Sequence, residues 1–182
     1  MGASDAIRFG DLVLRVRKGG PGDVGEVVSV LDEAAAWLET RGIVQWPARF
    51  EPGWVEGPLR RGETWLAEAD GRALGTVQLC ASDPIWEDRP GAARYVHRLA
   101  VRRAAAGLGR LLVGWAWNES ARHGCEWLRL DCVAQNKGLC RYYEGLGFRH
   151  VGDVDVNGPP GDRSAEWPAV RVSRYERAVT AR

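Results

Sequence analysis

The chain has 182 residues, 45% of them apolar and 27% charged, with a formal net charge of +1. That is the make-up of an ordinary soluble globular protein, long enough to bury a real core. The near-neutral balance excludes the basic bias of a nucleic-acid or anionic-membrane binder, and no apolar run approaches the roughly 20 residues of a membrane span.

Cys80, Cys125, Cys132 and Cys140 lack C-x-x-C spacing, and only three histidines exist to complete a metal set. They read as reduced thiols of a cytoplasmic protein with no metal centre. MGASDAIRFG, residues 1–10, has neither the basic start nor the apolar stretch of a signal peptide. It reads as a flexible extension of a single domain spanning residues 1–182.

From there the chain alternates strand and helix signals. LVLRVRK, Leu12 to Lys18, alternates apolar and basic residues as a strand does. A proline-led helix follows, with the stripe Val24, Val27, Val28, Leu31, Ala35 and Leu38 and a stop at Gly42. Ile43 to Glu63, rich in Pro, Gly and Trp, reads as a loop or as a loop with one short helix. Two strands joined by a tight turn at Asp70-Gly71 come next. ARYVHRLAV is another strand, predicted to carry Tyr95, His97, Leu99 and Val101 on one face.

A helix is predicted from about Gly107 to Arg122, then an almost continuously apolar strand, Trp127 to Ala134, covered on both faces. KGLCRYYEGLGF is a short helix with Gly147 at the left-handed position after its end. Two strands, FRHVGDVDV and VRVSRYERAV, flank a polar Pro/Gly loop. This order argues an α+β or α/β sandwich, a mixed sheet with helices on its faces.

One window carries chemistry. From Arg89 to Asn118 there is no acidic residue, while Arg89, Arg94, Arg98, Arg102, Arg103 and Arg110 all fall inside it. A solvated basic face would explain the arginines alone. The helix beginning near Gly107, however, has no Ser, Thr, Asp or Asn to satisfy its first amides. An open helix N-terminus where glycine lets the backbone approach closely is an anion site, and arginines nearby add charge-assisted bonds. A phosphate group is the expected ligand. Gly107-Leu108-Gly109 with Asp131 about twenty residues on partly matches a dinucleotide fingerprint. The third glycine is missing, and too little chain follows for a doubly wound domain.

The segment GLCRYYEGLGF decides among phosphates. LAVRRAAAGLGRLL resembles the strand, R/Q-x-x-G-x-G/A and helix of the GCN5-related N-acetyltransferase (GNAT) superfamily. Asn136, Tyr143, Gly147 and Phe148 are similar to its N-x(6)-Y-x-x-x-G-F motif. The resemblance covers roughly Leu12 to Val179. One position departs: Ala104 stands three residues before Gly107, where the family carries Arg or Gln, and Arg103 is the nearest basic side chain.

The resemblance implies a mostly antiparallel central sheet of about six to seven strands with helices on both faces. It implies strands splayed apart between residues 93–101 and 127–134. It implies acetyl-CoA as acyl donor, its pantetheine along Leu99, Ala100 and Val101 and beside Asn136 and Tyr143. The pyrophosphate would meet Arg102, Arg103, Gly107, Leu108, Gly109 and Arg110. Tyr143 is the implied acid for the departing thiolate; plain core packing beside Leu139 and Leu146 is its other reading. His97 is the candidate base, against a satisfied, partly buried histidine.

Trp46, Trp54 and Trp86 offer aromatic faces to an acceptor cation, with Trp46 and Trp86 the chosen substrate contacts. Glu39, Glu51 and Asp83 read as solvated surface that could attract an ammonium. The expected activity is direct acetyl transfer to a primary amine of a small molecule. Alternatives are a protein or peptide N-terminal acetyltransferase and a non-catalytic acyl-CoA sensor. A homodimer is left open, and neither nucleic acid nor membrane is an expected partner.

Overall fold

The computed structural model describes residues 5–43, 45–157 and 169–179. The Pro/Gly loop between the last two strands lies outside the described residues.

Eight strands form one sheet: β1 (Asp5–Phe9), β2 (Leu12–Lys18), β3 (Thr64–Ala69), β4 (Arg72–Cys80), β5 (Ala93–Val101), β6 (Trp127–Val133), β7 (Arg149–Asn157) and β8 (Ala169–Ala178). Their order across the sheet is β1-β2-β3-β4-β5-β6-β8-β7. Four helices join them: α1 (Val24–Glu39), α2 (Gly53–Arg60), α3 (Leu108–Arg122) and α4 (Lys137–Gly145). Eight strands exceed the six to seven expected, because β1 is an addition. Residues 5–9 are not a flexible extension: they turn back at Gly10, with φ +57°, and pair with β2. The predicted turn at Asp70-Gly71 joins β3 to β4, both residues having positive φ, the mirror-image turn that matches strand twist.

Strand alternation sorts the core onto two sides of the sheet. Leu66 of β3 points to α1 and α2, in one core with Val27, Val30, Leu31 and Leu59. Its neighbour Ala67 points to α3 and α4, with Leu108, Leu112, Val113 and Tyr143. β6 departs from its apolar reading at Arg129 and at Asp131, which lines the cavity described below. Arg129 is fully buried, donating to the carbonyls of Arg89 and Pro90 and paired with Glu176, so its charge is satisfied inside the fold.

The alternation breaks in β4, where Ala73 lies in the α1 core and Val77 in the α3 core, and again in β5. Val96 and Ala100 are an even number of residues apart, yet Val96 lies in the α3 core and Ala100 in the α1 core. The cause is a bulge: Thr76 of β4 faces Ala100 while Gln78 faces His97, and Arg98 takes φ +46°. An inserted residue reverses every side chain after it. Tyr95 and Leu99 therefore do not share one face, as simple alternation had predicted. Tyr95 packs with Cys80 and Trp86, while Leu99 and Val101 pack toward α3.

The same place opens the sheet. β5 and β6 are parallel neighbours, with pairing from Ala93↔Trp127 to Val96↔Leu130 and none beyond. β6 keeps its pairing with β8 through Val133. The two parallel strands thus part after Val96, leaving a V-shaped gap at their C-terminal ends.

Candidate active site

A cavity of about 740 Å³ occupies that gap. His97, Leu99, Ala100 and Val101 line it from β5, and Asp131 and Val133 from β6. Tyr143 and Asn136 close one side, with Gly107 and Gly109 at the start of α3. Residues after α1, among them Gln45 and Trp46, close another.

The glycine loop has the form its sequence suggests. A single 3-10 turn, Arg103–Ala105, connects β5 to Gly107, whose φ of +99° begins α3 with no side-chain cap and no acid in the first turn. Ala105 is buried and anchors the turn. The first amides of α3 are thus open to an acceptor from outside the helix. Leu108 contributes only its backbone there, because its side chain lies wholly in the core. Arg110 is exposed and outside the cavity lining.

The arginines divide. Arg102 was expected at the pyrophosphate, but its guanidinium is buried and turned toward α1, where it pairs with Glu26 and Glu33. Arg89 pairs with Glu176. Arg98 donates to Gln78 at 2.8 Å, and burial lowers its guanidinium to about 10. Arg103 remains at the cavity, stacked over Trp37 with 4.2 Å from guanidinium to ring centre; Arg41 lies over the same ring at 4.9 Å. Trp37 lies in α1 but outside the apolar stripe read from the sequence, so nothing there singled it out.

Tyr143 is buried to 6% exposure between Phe148, Tyr175 and Tyr142 and still lines the cavity, so packing and access coexist. Burial pushes its phenol well above the ordinary value, which keeps it protonated. Asn136 caps α4 by accepting from the Leu139 N–H at 3.1 Å and donates to Gln45 at 3.2 Å. Trp46 lines the cavity, edge-on to Phe50 at 5.5 Å. Trp86 does not. It is 1% exposed, packed on Tyr95 between the guanidinium groups of Arg129 and Arg174, and is core rather than acceptor wall.

One residue read as surface belongs to this site. Asp83 is buried; its Oδ1 accepts from the Ile85 N–H at 3.2 Å, and its Oδ2 lies 3.2 Å from Nε2 of His97. On the other side of the ring, Nδ1 lies 3.9 Å from Oδ1 of Asp131. The pattern Asp83-Pro84 is a helix-start signal, a side-chain cap before a proline, and would have placed Asp83 in a fixed turn. Asp83, His97 and Asp131 bring one potential ligand atom each within 4.8 Å of one another, a set that a cation could also use.

Residues 31–148 match the acetyltransferase (GNAT) family. The chain is 30% identical over 149 residues to uncharacterized N-acetyltransferase YesJ of Bacillus subtilis (strain 168), covering 75% of this chain and 81% of that one. A GNAT-family acetyltransferase from Listeria monocytogenes superposes with a TM-score of 0.75 at 26% identity, covering 96% of this chain and 99% of that one. The putative acetyltransferase yncA from Salmonella typhimurium, solved with acetyl-CoA, superposes with a TM-score of 0.62 at 15% identity, covering 93% of this chain and 95% of that one.

Proposed function

Because this chain belongs to the acetyltransferase (GNAT) family and is an N-acetyltransferase, we propose that it moves an acetyl group from acetyl-CoA directly to a primary amine of a small molecule. The observation that carries this reading is the cavity itself. It runs in the gap between parted strands, with an uncapped glycine helix start, Tyr143 and His97 all on its wall.

Acetyl-CoA fits the residues present. The open amides from Gly107 to Arg110 suit a pyrophosphate, with Arg103 beside them. The β5 edge at Leu99, Ala100 and Val101, which has no β6 partner, suits the amide-bearing pantetheine arm, and Asn136 and Tyr143 flank it. Bound there, acetyl-CoA supplies a thioester carbonyl open to an amine. His97 takes the proton that the incoming ammonium must lose. Tyr143, held protonated, donates to the sulfur as the C–S bond breaks. Trp46 offers its face to the acceptor. Free cysteines at all four positions suit a reducing, cytoplasmic setting.

The test is release of free thiol from acetyl-CoA against a panel of small primary amines and of peptides with free N-termini. Turnover with small amines, and a fall of ~10² in kcat for Tyr143→Phe without a change in folding, is expected. Turnover with peptides alone would replace the small-molecule acceptor, and CoA binding without turnover would make the protein a sensor.

A further inference from the structure

Resting on the acceptor reading above, we infer that the amine acetylated here is a monoamine with an apolar body, seated on a wall made by Val133, Val156, Val170 and Val172. The body is held by contact with methyl groups, and a second charge on it is excluded.

All four valines line the cavity. Strand registers join them into one patch. Val133 of β6 faces Val172 of β8, Val170 lies two residues along the same face, and Val156 of β7 faces Val170. Between these rows, Asp155 and Arg171 turn to the opposite face and pair with each other at 3.4 Å. Apolar residues on one side and a charged pair on the other is the alternation of a sheet end with one covered face. Here the apolar face borders the cavity, so a ligand in the cavity meets methyl groups there and gains by burying them.

Placed as above, the donor does not reach this patch. Its pantetheine follows the β5 edge, whereas β8 and β7 lie about 5 and 10 Å beyond β6, on the side away from β5. The reacting end is near. Val133 stands two residues after Asp131, the β6 residue that faces His97, so the Val133–Val172 row begins about 7 Å from it. The Val170–Val156 row is about 7 Å further on. An acceptor with its nitrogen at His97 therefore lays any longer body on valine, with Trp46 and Pro47 adding apolar surface. A second ammonium on either row would lose its water against methyl groups, since the patch holds no carboxylate among the described residues. The transfer balances as before: a C–N bond forms, the C–S bond breaks, and the ammonium gives one proton to the thiolate and one to solvent.

Pentylamine and 1,4-diaminobutane are the deciding pair, because they match in length and differ only in ending on a methyl or on an ammonium. At about pH 8 alkylamines carry their charge. Thiol release from acetyl-CoA is expected to give pentylamine a kcat/KM about tenfold or more above that of the diamine. From ethylamine to hexylamine, kcat/KM should rise by up to about fourfold per added methylene, the value of one buried CH2. A flat series, or a diamine used as well as pentylamine, overturns the inference and leaves the acetyltransferase reading standing.

Val170→Glu puts a carboxylate on the patch at a half-buried position and is expected to move the preference about tenfold toward the diamine. Val170→Thr, close to valine in shape, serves if the first variant does not fold. It should lower the hexylamine-to-ethylamine ratio of kcat/KM about threefold. Unmoved ratios in a variant folded by circular dichroism overturn the role of the patch. Calorimetric titration of the CoA-loaded protein separates this inference from the reading beneath it. Hexylamine bound about tenfold or more tightly than 1,4-diaminobutane, in a protein that acetylates no amine, would sink the acceptor reading and still support the apolar seat. Neither binding nor turnover of hexylamine overturns the inference.

Discussion

Glu33 in α1 holds the end of β5 twice. Its Oε2 accepts from the Arg102 guanidinium at 2.8 Å and its Oε1 from the backbone N–H of Arg103 at 2.7 Å. Arg102 also donates to the carbonyl of Ala73 at 2.8 Å. The residue that sequence placed on the pyrophosphate is thus a tether between the α1 face and the strand that carries the loop. Its guanidinium is spent before the ligand arrives.

Glu33→Ala removes both contacts and leaves Arg102 with Glu26. It is expected to cost about 1–3 kcal/mol, as loss of partners to a buried charge does, read by urea denaturation. Because the released segment leads into Gly107, calorimetric titration should show weaker CoA binding as well. A stability loss with unchanged CoA affinity would mean that the loop holds its register without this tether.

Gly107→Ala tests the cradle. No side chain crowds the position, the nearest atom to an added Cβ being Phe9 Cε2 at 3.8 Å, so the effect comes from φ +99°, which an L-residue adopts only under strain. The expected cost is about 1–2 kcal/mol. CoA affinity should fall about tenfold, ~1.4 kcal/mol, as the first amides of α3 shift.

Two tryptophans that look alike in sequence should behave oppositely. Trp86→Phe is expected to destabilise by about 1–3 kcal/mol, through volume lost from the core, and to leave KM for the acceptor amine within twofold. Trp46→Ala should cost about 1 kcal/mol or less, since it is half-buried, and should raise that KM. Thiol release and chemical denaturation on both variants separate the roles.

Acid stability has a nameable contributor. The Arg17 guanidinium donates to both oxygens of Asp23, at 2.9 and 2.8 Å, and outweighs burial to hold that carboxyl below its ordinary 3.8. A depressed folded-state value means that the stabilisation is present above the unfolded value and is lost as pH falls through the folded one. Asp23→Asn should therefore lower stability at neutral pH and flatten its decline below about pH 4, followed by circular dichroism.

Much of the site was legible where local chemistry decides it. Gly107 needs a positive φ at an uncapped helix start, Gly147 with φ +84° ends α4, and Asp70-Gly71 makes a hairpin. Each is a one- or two-residue requirement written in residue type. β1 was missed because five residues of an edge strand carry little period on their own; pairing with β2 makes them a strand. Asp83 was misread because an acid in a polar loop that also holds Glu87 and Asp88 looks solvated, although the proline after it marked a fixed turn.

The apolar periods, the glycine pair and the order of the two motifs were enough for the layered sheet, the helix-start cradle and the family, since these depend on contacts near in the chain. The bulge at Arg98, the parting of β5 from β6 after Val96, and the meeting of Asp83 with His97 and Asp131 were settled by packing across the sheet. So was the fate of the arginines. Burial and partners distant in sequence assigned Arg102 to Glu33, 69 residues away, and left Arg103 on Trp37 beside the cavity. Charge can be counted along a chain, but whether it is free to meet a ligand depends on which opposite charge the fold brings to it first.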